Sequence, residues 1–312
     1  MKLLKSTFKI VFTAFLLFFS VQQKAEANSW NEVQQNDSLL QLMDSVKISL
    51  LTCGPGKEVW SLYGHTAIRY RNYDKKTDVV VNYGAFSFEQ DYFVPRFVFG
   101  LTDYCMDVMP MDIFMQEYNR EGRWVIQQDL NLSREEKFAI TKALEQNSLP
   151  SNRNYRYNFF YDNCTTRAMQ MLLNHLNIKK YQSDNQWNGE SYRTMVHQWN
   201  KRHRWARFGN DLLLGVKSDF KTEKEASFFL PDSLRKQFNS IVLTNPDGST
   251  RKLVSKEYYL IEKEKGSEPT LTIEQILLTP VTLFSFLFVI ILLHSELPGY
   301  PCKAHRPRHR TT

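Results

Sequence analysis

The chain changes from an extended, aromatic-rich segment to an amphipathic helix at residues 161–167, which read YDNCTTR. Apolar residues then recur at helical spacing, and Asp162 or Asn163 can cap the helix just before Cys164. A cysteine in the first turn lies near unpaired N–H groups and the positive end of the helix dipole, and both stabilise a thiolate. Free cysteine is also often simply buried. The heptapeptide alone therefore fits a nucleophile and a structural residue equally well.

A second segment, residues 61–70 (SLYGHTAIRY), places a histidine at the start of a run with strand alternation. His65 follows Gly64, and a glycine at a strand end allows another backbone or a substrate to come close. A lone histidine is more often structural. A nucleophilic thiol, however, needs a general base within hydrogen-bond reach, and imidazole titrates in the useful range. We therefore predict that Cys164 and His65 form a catalytic pair.

Several short motifs occur in the order of one family: PG at 55–56, YGH at 63–65, NYGAF at 82–86, YDNCTTR at 161–167, DLLLG at 211–215 and FLP at 229–231. Over about residues 47–234 the chain resembles the periplasmic domain of the Bacteroides-type lipoprotein N-acyltransferases. The resemblance implies an α+β fold, a permuted papain-like (NlpC/P60-like) antiparallel sheet with packed helices. In that fold the histidine strand precedes the cysteine helix.

Asn82 is the preferred candidate for a third catalytic residue, because a histidine base is commonly oriented by a polar group on a neighbouring strand. A hairpin from the His65 strand can supply it, although Asn82 can instead pair with the turn that follows. Asp162 is the other candidate, but its position suits helix capping better. We expect the backbone N–H of Cys164 to stabilise an oxyanion with a neighbouring donor. Further candidates for substrate binding or the oxyanion are Asn163, Tyr63, Tyr83, Asp162 and Arg167, the last of which can hold a phosphate or pair with an acid.

The first 27 residues have the pattern of a secretory signal peptide. Lysines precede an apolar run at 10–21, and AEA at 25–27 offers a small-residue cleavage site. A membrane helix is the alternative, but the apolar run is too short to span comfortably. We expect the mature chain to begin at Asn28, outside the cytoplasm. Because no cysteine lies at the cleavage point, the protein should not itself be a lipoprotein.

The positive net charge of the chain comes from its two ends. Four of the 40 basic residues lie in the signal peptide and four lie after residue 302, so residues 28–302 carry 32 basic and 32 acidic side chains. A neutral folded region has no electrostatic basis for a nucleic-acid partner.

Cysteine is sparse for an exported protein, with Cys53, Cys105, Cys164 and Cys302. Cys53 and Cys105 can pair in an oxidising compartment, whereas Cys164 must stay free to act. The seven histidines are scattered and no close cysteine pair exists, so we expect no metal site.

The middle of the chain has an α+β pattern. Strands are predicted at 47–52, 65–70, 79–83, 104–109 and 124–130, and a helix at 111–120. SREE at 133–136 is a capping box that starts a helix running to about residue 146. We expect an antiparallel sheet with helices packed on one side.

A basic segment at 193–207 interleaves Lys, Arg and His with Trp199 and Trp205. Trp at an interface and basic side chains toward lipid phosphates are typical of a membrane-surface helix. An amphipathic helix whose Met195, Val196 and Trp199 pack on the core is the alternative, and for such stretches it is the more common outcome.

Residues 28–255 are expected to be a periplasmic domain, followed by a charge-rich linker at 256–275. Residues 276–294 are almost continuously apolar, and we expect one inner-membrane-spanning helix there. The basic tail at 295–312 then places the C-terminus in the cytoplasm. In the family that the chain resembles, several membrane helices would follow, so a single predicted helix departs from that pattern.

The resemblance implies a membrane-anchored enzyme that moves an acyl chain from a phospholipid to the α-amino group of a diacylglyceryl-cysteine lipoprotein through a thioester on Cys164. The expected partners are a phospholipid donor, a lipoprotein acceptor and the membrane, with no cofactor. The residues alone reach only as far as Cys/His acyl transfer. A cysteine peptidase or amidase acting on cell-wall peptides and a non-catalytic lipoprotein-binding module remain the alternatives.

Overall fold

The structure is a computed structural model that describes residues 37–58, 61–86, 91–92, 96, 100–183, 189–263 and 277–295. The expected signal peptide, residues 264–275 of the expected linker, residues 296–312 of the expected tail and Cys302 lie outside the described residues. The described part has the predicted α+β character.

The centre of the fold is a seven-stranded antiparallel sheet, and its strands are β1 (Val46–Cys53), β2 (His65–Asn72), β3 (Thr77–Ala85), β4 (Asp103–Pro110), β5 (Val125–Leu130), β6 (Asn154–Arg156) and β10 (Val254–Ile261). They lie in the order β10-β5-β1-β2-β3-β4-β6. The first five were predicted, because alternation and β-branched or aromatic residues mark buried strands.

The helices are α1 (Met111–Arg120), α2 (Arg134–Ser148), α3 (Cys164–Leu173), α4 (Tyr192–Trp199), α5 (Arg204–Leu213), α6 (Pro231–Ser240) and α7 (Pro280–Ser295). The predicted capping box of α2 is confirmed: the Ser133 side chain accepts from the Glu136 N–H, and the Glu136 carboxylate accepts from the Ser133 N–H. Short 3₁₀ helices occupy Val216–Asp219 and Lys224–Phe229.

The sheet is covered on both faces. Successive strand residues point to opposite sides, so neighbouring residues of one strand belong to two different cores. Ile68 and Val81 belong to the larger core, to which α2, α3 and α6 contribute apolar side chains. Ala67 and Val80 belong to a second core with Phe114 of α1. The expectation of helices on one side was therefore wrong: the apolar stripe of α1 needs its own surface, and it covers the opposite face.

A smaller antiparallel sheet has the order β7-β8-β9, with β7 (Lys180–Ser183), β8 (Ile241–Thr244) and β9 (Thr250–Lys252). Strand β10 follows directly and pairs with β5. Residues 256–261 are thus part of the main sheet rather than the start of a linker. Their charges fit this place, since an edge strand of a sheet tolerates and benefits from charged side chains.

Helix α7 occupies most of the segment expected to span the membrane. It has 16 residues, and at 1.5 Å per residue it is about 24 Å long, shorter than a hydrocarbon core of about 30 Å. Among the described residues, no helix is long and apolar enough to cross a bilayer. The structure therefore does not support the predicted spanning helix at 276–294.

Cys53, Cys105 and Cys164 are free thiols. The pairing of Cys53 with Cys105 that the sequence allowed does not form, because β2 and β3 separate their strands. Three strand spacings amount to about 14 Å, whereas a disulfide needs Cα atoms within about 7 Å.

Candidate active site

Asn163 caps helix α3 and places Cys164 at its first position. The Asn163 side-chain oxygen accepts from the N–H groups of Thr165 (2.8 Å) and Thr166 (2.9 Å), and the Thr166 hydroxyl accepts from the Asn163 N–H. The Cys164 N–H lies at the helix position for which a helix offers no carbonyl partner. Capping by Asn163 rather than Asp162 therefore leaves this N–H directed at the region before the helix.

The side-chain nitrogen of Asn163 anchors the cap to the rest of the fold. It donates to the Phe159 carbonyl (2.8 Å) and to the Phe229 carbonyl (2.9 Å), and the side chain is buried. Every polar atom of this amide is thus engaged within the protein. Asn163 positions the helix, and the structure does not support its expected role as a side chain that contacts substrate or an oxyanion.

His65 and Asn82 are hydrogen-bonded to each other, with 2.5 Å between His65 Nε2 and Asn82 Oδ1. An amide oxygen only accepts, so Nε2 must carry a hydrogen. The neutral ring then has its lone pair on Nδ1, and this nitrogen remains for the hydrogen bond that His65 shares with Cys164. The structure therefore brings the three predicted residues into one chain of contacts, thiol to imidazole to amide.

The register of the β2–β3 hairpin produces this contact. Ala67 pairs with Asn82, so His65 and Asn82 lie on the same face in diagonal positions. Gly64, just before His65, has φ +79°, and a Cβ there would lie 2.5 Å from the Cys53 carbonyl oxygen. Only glycine fits both the backbone angle and the close approach.

Gly84 lies between the imidazole and the thiol. Its φ is +129°, at the point where the β3–β4 register shifts between Tyr83 and Ala85. A Cβ on Gly84 would lie 3.5 Å from His65 Cε1 and 3.7 Å from the Cβ of Cys164. Both are ordinary van der Waals distances, so the positive φ rather than a lack of space favours glycine at this position, next to the two catalytic candidates.

The thiol of Cys164 is more acidic than an ordinary cysteine. Burial raises its pKa, but the positive charge and hydrogen bond of His65 oppose this effect, together with the Thr66 N–H and the Thr165 hydroxyl. The net result lowers the pKa from 9.0 to about 7. At neutral pH about half of the molecules then carry the nucleophilic thiolate.

His65 shows the matching shift. Burial lowers the pKa of His65, but the negative Cys164 and the hydrogen bonds that His65 makes with Cys164 and Asn82 outweigh burial and raise this pKa above 6.5. The lowered pKa of Cys164 and the raised pKa of His65 are the changes expected when a thiolate and an imidazolium share one proton.

Two threonines that the sequence analysis missed support the thiol. The Thr66 and Thr165 hydroxyls are 3.0 Å apart and both residues are fully buried, so they join the His65 strand to the Cys164 helix. Thr165 Oγ1 lies 3.7 Å from Cys164 Sγ. Each is the immediate neighbour of a catalytic candidate, but nothing in the sequence distinguished it from an ordinary strand or helix residue.

An aromatic cluster packs near Cys164. The Tyr104 and Tyr157 rings stack with centroids 4.2 Å apart, and Phe86 lies 5.0 Å from Tyr104. Phe86, Tyr157 and Cys164 all pack against the larger core. The aromatic cluster and Cys164 thus pack against the same core.

The remaining predicted site residues have structural partners. Tyr83 is buried and donates its hydroxyl hydrogen to Asn147 Oδ1 at 2.7 Å, so it belongs to the core rather than to a substrate site. Asp162 and Arg167 form a two-bond ion pair (2.6 and 2.9 Å), and the Arg167 guanidinium lies 3.7 Å from the Tyr155 ring centre. Arg167 thus pairs with an acid, as the plainer prediction stated.

Tyr63 lies in the segment just before His65. Its hydroxyl accepts from the side-chain amides of Asn200 (3.3 Å) and Asn210, and its ring meets Phe159 edge-on at 5.2 Å. It therefore connects the segment just before His65 to α5. Its hydroxyl is engaged within the protein, so the structure does not support the predicted contact of Tyr63 with substrate.

Residues 40–198 match the family described as the Lnb N-terminal periplasmic domain. The match covers half of the chain and includes His65, Asn82 and Cys164. The chain belongs to this family. Membership of the Lnb N-terminal domain family supports a periplasmic location, in agreement with the predicted signal peptide. No curated protein and no solved structure gives a significant match, so the papain-like relationship stays a prediction.

Proposed function

We propose that the protein is a cysteine acyltransferase in which His65 activates Cys164 and Asn82 orients His65. The observation that carries this proposal is the chain of contacts from thiol to imidazole to amide, together with a thiol pKa of about 7. A buried structural cysteine has the opposite signature: Cys53 lies in the core, and burial raises its pKa to about 12. This contrast supports a chemical role for Cys164.

The proposed first half-reaction forms a thioester. His65 Nδ1 takes the thiol proton, and Cys164 Sγ attacks the carbonyl carbon of a phospholipid acyl ester. The Cys164 N–H donates to the oxyanion of the tetrahedral intermediate. The ester C–O bond then breaks, the lysophospholipid oxygen takes the proton from His65, and the acyl chain remains on sulfur.

The second half-reaction transfers the chain to an amine. The α-amino group of a diacylglyceryl-cysteine lipoprotein attacks the thioester carbonyl and gives a proton to His65. The C–S bond breaks, an amide forms, and the leaving sulfur takes the proton back from His65, so both residues return to the starting state. The lipoprotein acceptor is part of the proposal because the family resemblance implies it; the geometry itself supports acyl transfer through sulfur.

Apolar surroundings favour an acyl substrate. The rings of Phe86, Tyr104 and Tyr157 form one aromatic cluster, and Phe86, Tyr157 and Cys164 all pack against the larger core. We propose that the domain works at the periplasmic leaflet of the inner membrane, where both lipid substrates lie.

Intact mass spectrometry tests the proposal. The purified chain is incubated with phospholipid and without an amine acceptor, and it should gain one fatty-acyl mass that hydroxylamine removes. The matched control is Cys105→Ala, which removes another partly exposed thiol and should still be acylated, whereas Cys164→Ala should not. If the wild-type chain never gains the mass and instead cleaves cell-wall peptides, the peptidase alternative replaces the acyltransferase.

A further inference from the structure

Helix α5 and the turn after it present an apolar surface to solvent. None of the α5 residues is buried. Leu212 and Val216 are each 70% exposed and Phe220 is 63% exposed. We define the docking surface as residues 201–221; its exposed large apolar side chains are Trp205, Leu212, Leu213, Val216 and Phe220.

The same surface is basic. It contains two acids, Asp211 and Asp219, and both are held by Arg193 of α4, at 2.7 and 2.6 Å. The basic residues outnumber them three to one, and they are Lys201, Arg202, Arg204, Arg207, Lys217 and Lys221. The mixture of tryptophan, leucine and lysine or arginine is the composition of helices that lie in a membrane interface.

Helix α7 lies against this surface and extends its apolar character. The Trp205 indole N–H donates to the Leu278 carbonyl just before α7 (2.7 Å), and the Phe208 and Phe284 rings are 5.4 Å apart. From Val281 to His294 every α7 side chain is exposed. A helix that is apolar on all sides is suited to lipid rather than to a protein partner, which would cover only one side.

We propose that the docking surface binds the anionic headgroup region of a lipid bilayer, with α7 entering the apolar layer beside it. Protein–protein interfaces are depleted in lysine, whereas an anionic leaflet attracts clustered basic residues next to apolar ones. The alternative occupant is a second copy of the chain bound through the same surface, which would bring two basic surfaces together.

The docking surface is fixed relative to residues 63–65, the segment that ends at His65. The Asn210 amide of α5 donates to the Tyr63 hydroxyl, two residues before His65. Arg193 also donates to the Leu214 carbonyl (3.1 Å) and the Ser218 hydroxyl (3.0 Å), which ties the C-terminal end of α5 to α4, a helix with one face in the core. Binding of the surface to a bilayer therefore orients His65 relative to that bilayer.

Vesicle co-sedimentation tests the inference. All variants are made in the full chain carrying Cys164→Ala, so the result does not depend on acyl transfer. Binding should be stronger to phosphatidylglycerol-containing vesicles than to pure phosphatidylcholine, and salt should weaken it. Arg204→Gln with Arg207→Gln should lower partition into anionic vesicles roughly 25-fold, because each basic residue near such a surface contributes about fivefold. Leu212→Asn with Val216→Asn should weaken binding to both vesicle types.

The matched control is Lys75→Gln with Lys76→Gln, which removes the same charge from the exposed β2–β3 turn at the far end of the hairpin from His65. It should bind like the parent, and thermal unfolding should show that all variants are folded. Equal binding by the Arg204/Arg207 variant and its parent would overturn the proposal. If the variants instead change the oligomeric state in size-exclusion chromatography with light scattering, the surface joins two copies of the chain and the lipid inference is wrong.

Discussion

Replacing Asn82 with alanine should make Cys164 a weaker acid without removing either member of the Cys–His pair. The substitution deletes the acceptor of the Nε2–H bond, which is 2.5 Å long and stabilises the imidazolium. A less stable imidazolium holds the thiolate less well. The pKa of Cys164 should therefore rise and that of His65 should fall.

The size of the change follows from the strength of such bonds. A hydrogen bond to a charged group contributes about 1.5–3 kcal/mol, and about 1.4 kcal/mol corresponds to one pKa unit. The thiol pKa should thus move from about 7 toward its ordinary value of 9.0 by about 1–2 units. At pH 7 the thiolate fraction should fall from about half to about 1–10%.

Peptide-resolved alkylation measures this fraction. The initial rate of iodoacetamide labelling at Cys164 is followed from pH 5 to pH 10 by mass spectrometry, so that labelling of Cys105 is counted separately. Asn174→Ala is the matched control, because it makes the same chemical change at the other end of α3. A labelling midpoint in Asn82→Ala that stays at the wild-type pH would refute the role given to Asn82.

Three further substitutions test the arrangement. Gly84→Ala should lower the free energy of unfolding by more than about 1 kcal/mol because φ is +129°, and thermal unfolding measures this change. The new methyl group beside His65 should also slow the alkylation of Cys164, which the labelling assay measures. Asn163→Ala should cost at least about 2 kcal/mol in urea unfolding, since it removes a cap and leaves the Phe229 carbonyl without its donor; unchanged unfolding would contradict the anchoring role. Tyr63→Phe should lower the free energy of unfolding by about 1 kcal/mol, because it removes the hydrogen bonds with Asn200 and Asn210. Tyr73→Phe, at an exposed tyrosine, should leave the free energy of unfolding unchanged.

The sheet could be predicted because its strands follow local rules. β2 and β3 alternate between two buried faces, and the capping box at Ser133 marks the start of α2. Strand β10 was missed because its exposed edge position allows Lys256 and Glu257, which read as a charged linker. The local pattern also does not show which face of the sheet each helix covers, since α1 and α2 are both amphipathic.

The site was predictable where chemistry demands particular residue types. A thiol at a helix start and a histidine at a strand start are each ambiguous, and only their combination pointed to Cys164 and His65. The bonds of Asn163 to Phe229 and of Tyr63 to Asn210 join residues far apart in the sequence, so no local pattern could reveal them. Tyr83 was misassigned because the NYG motif does not show which side of the sheet the tyrosine faces.

A neutral amide at position 82 fits the chemistry better than a carboxylate would. In the proposed reaction Cys164 first attacks and later leaves, and a thiol whose pKa is near the ambient pH is the best attacking group, because nucleophilicity falls as pKa falls. A carboxylate beside His65 would stabilise the imidazolium further and depress the pKa of Cys164 below this range. Asp162, the acid closest in sequence to Cys164, accepts with both of its carboxylate oxygens from Arg167. The negative charge of Asp162 is thus paired with Arg167, and the partner of His65 is a neutral amide that orients the ring without adding charge.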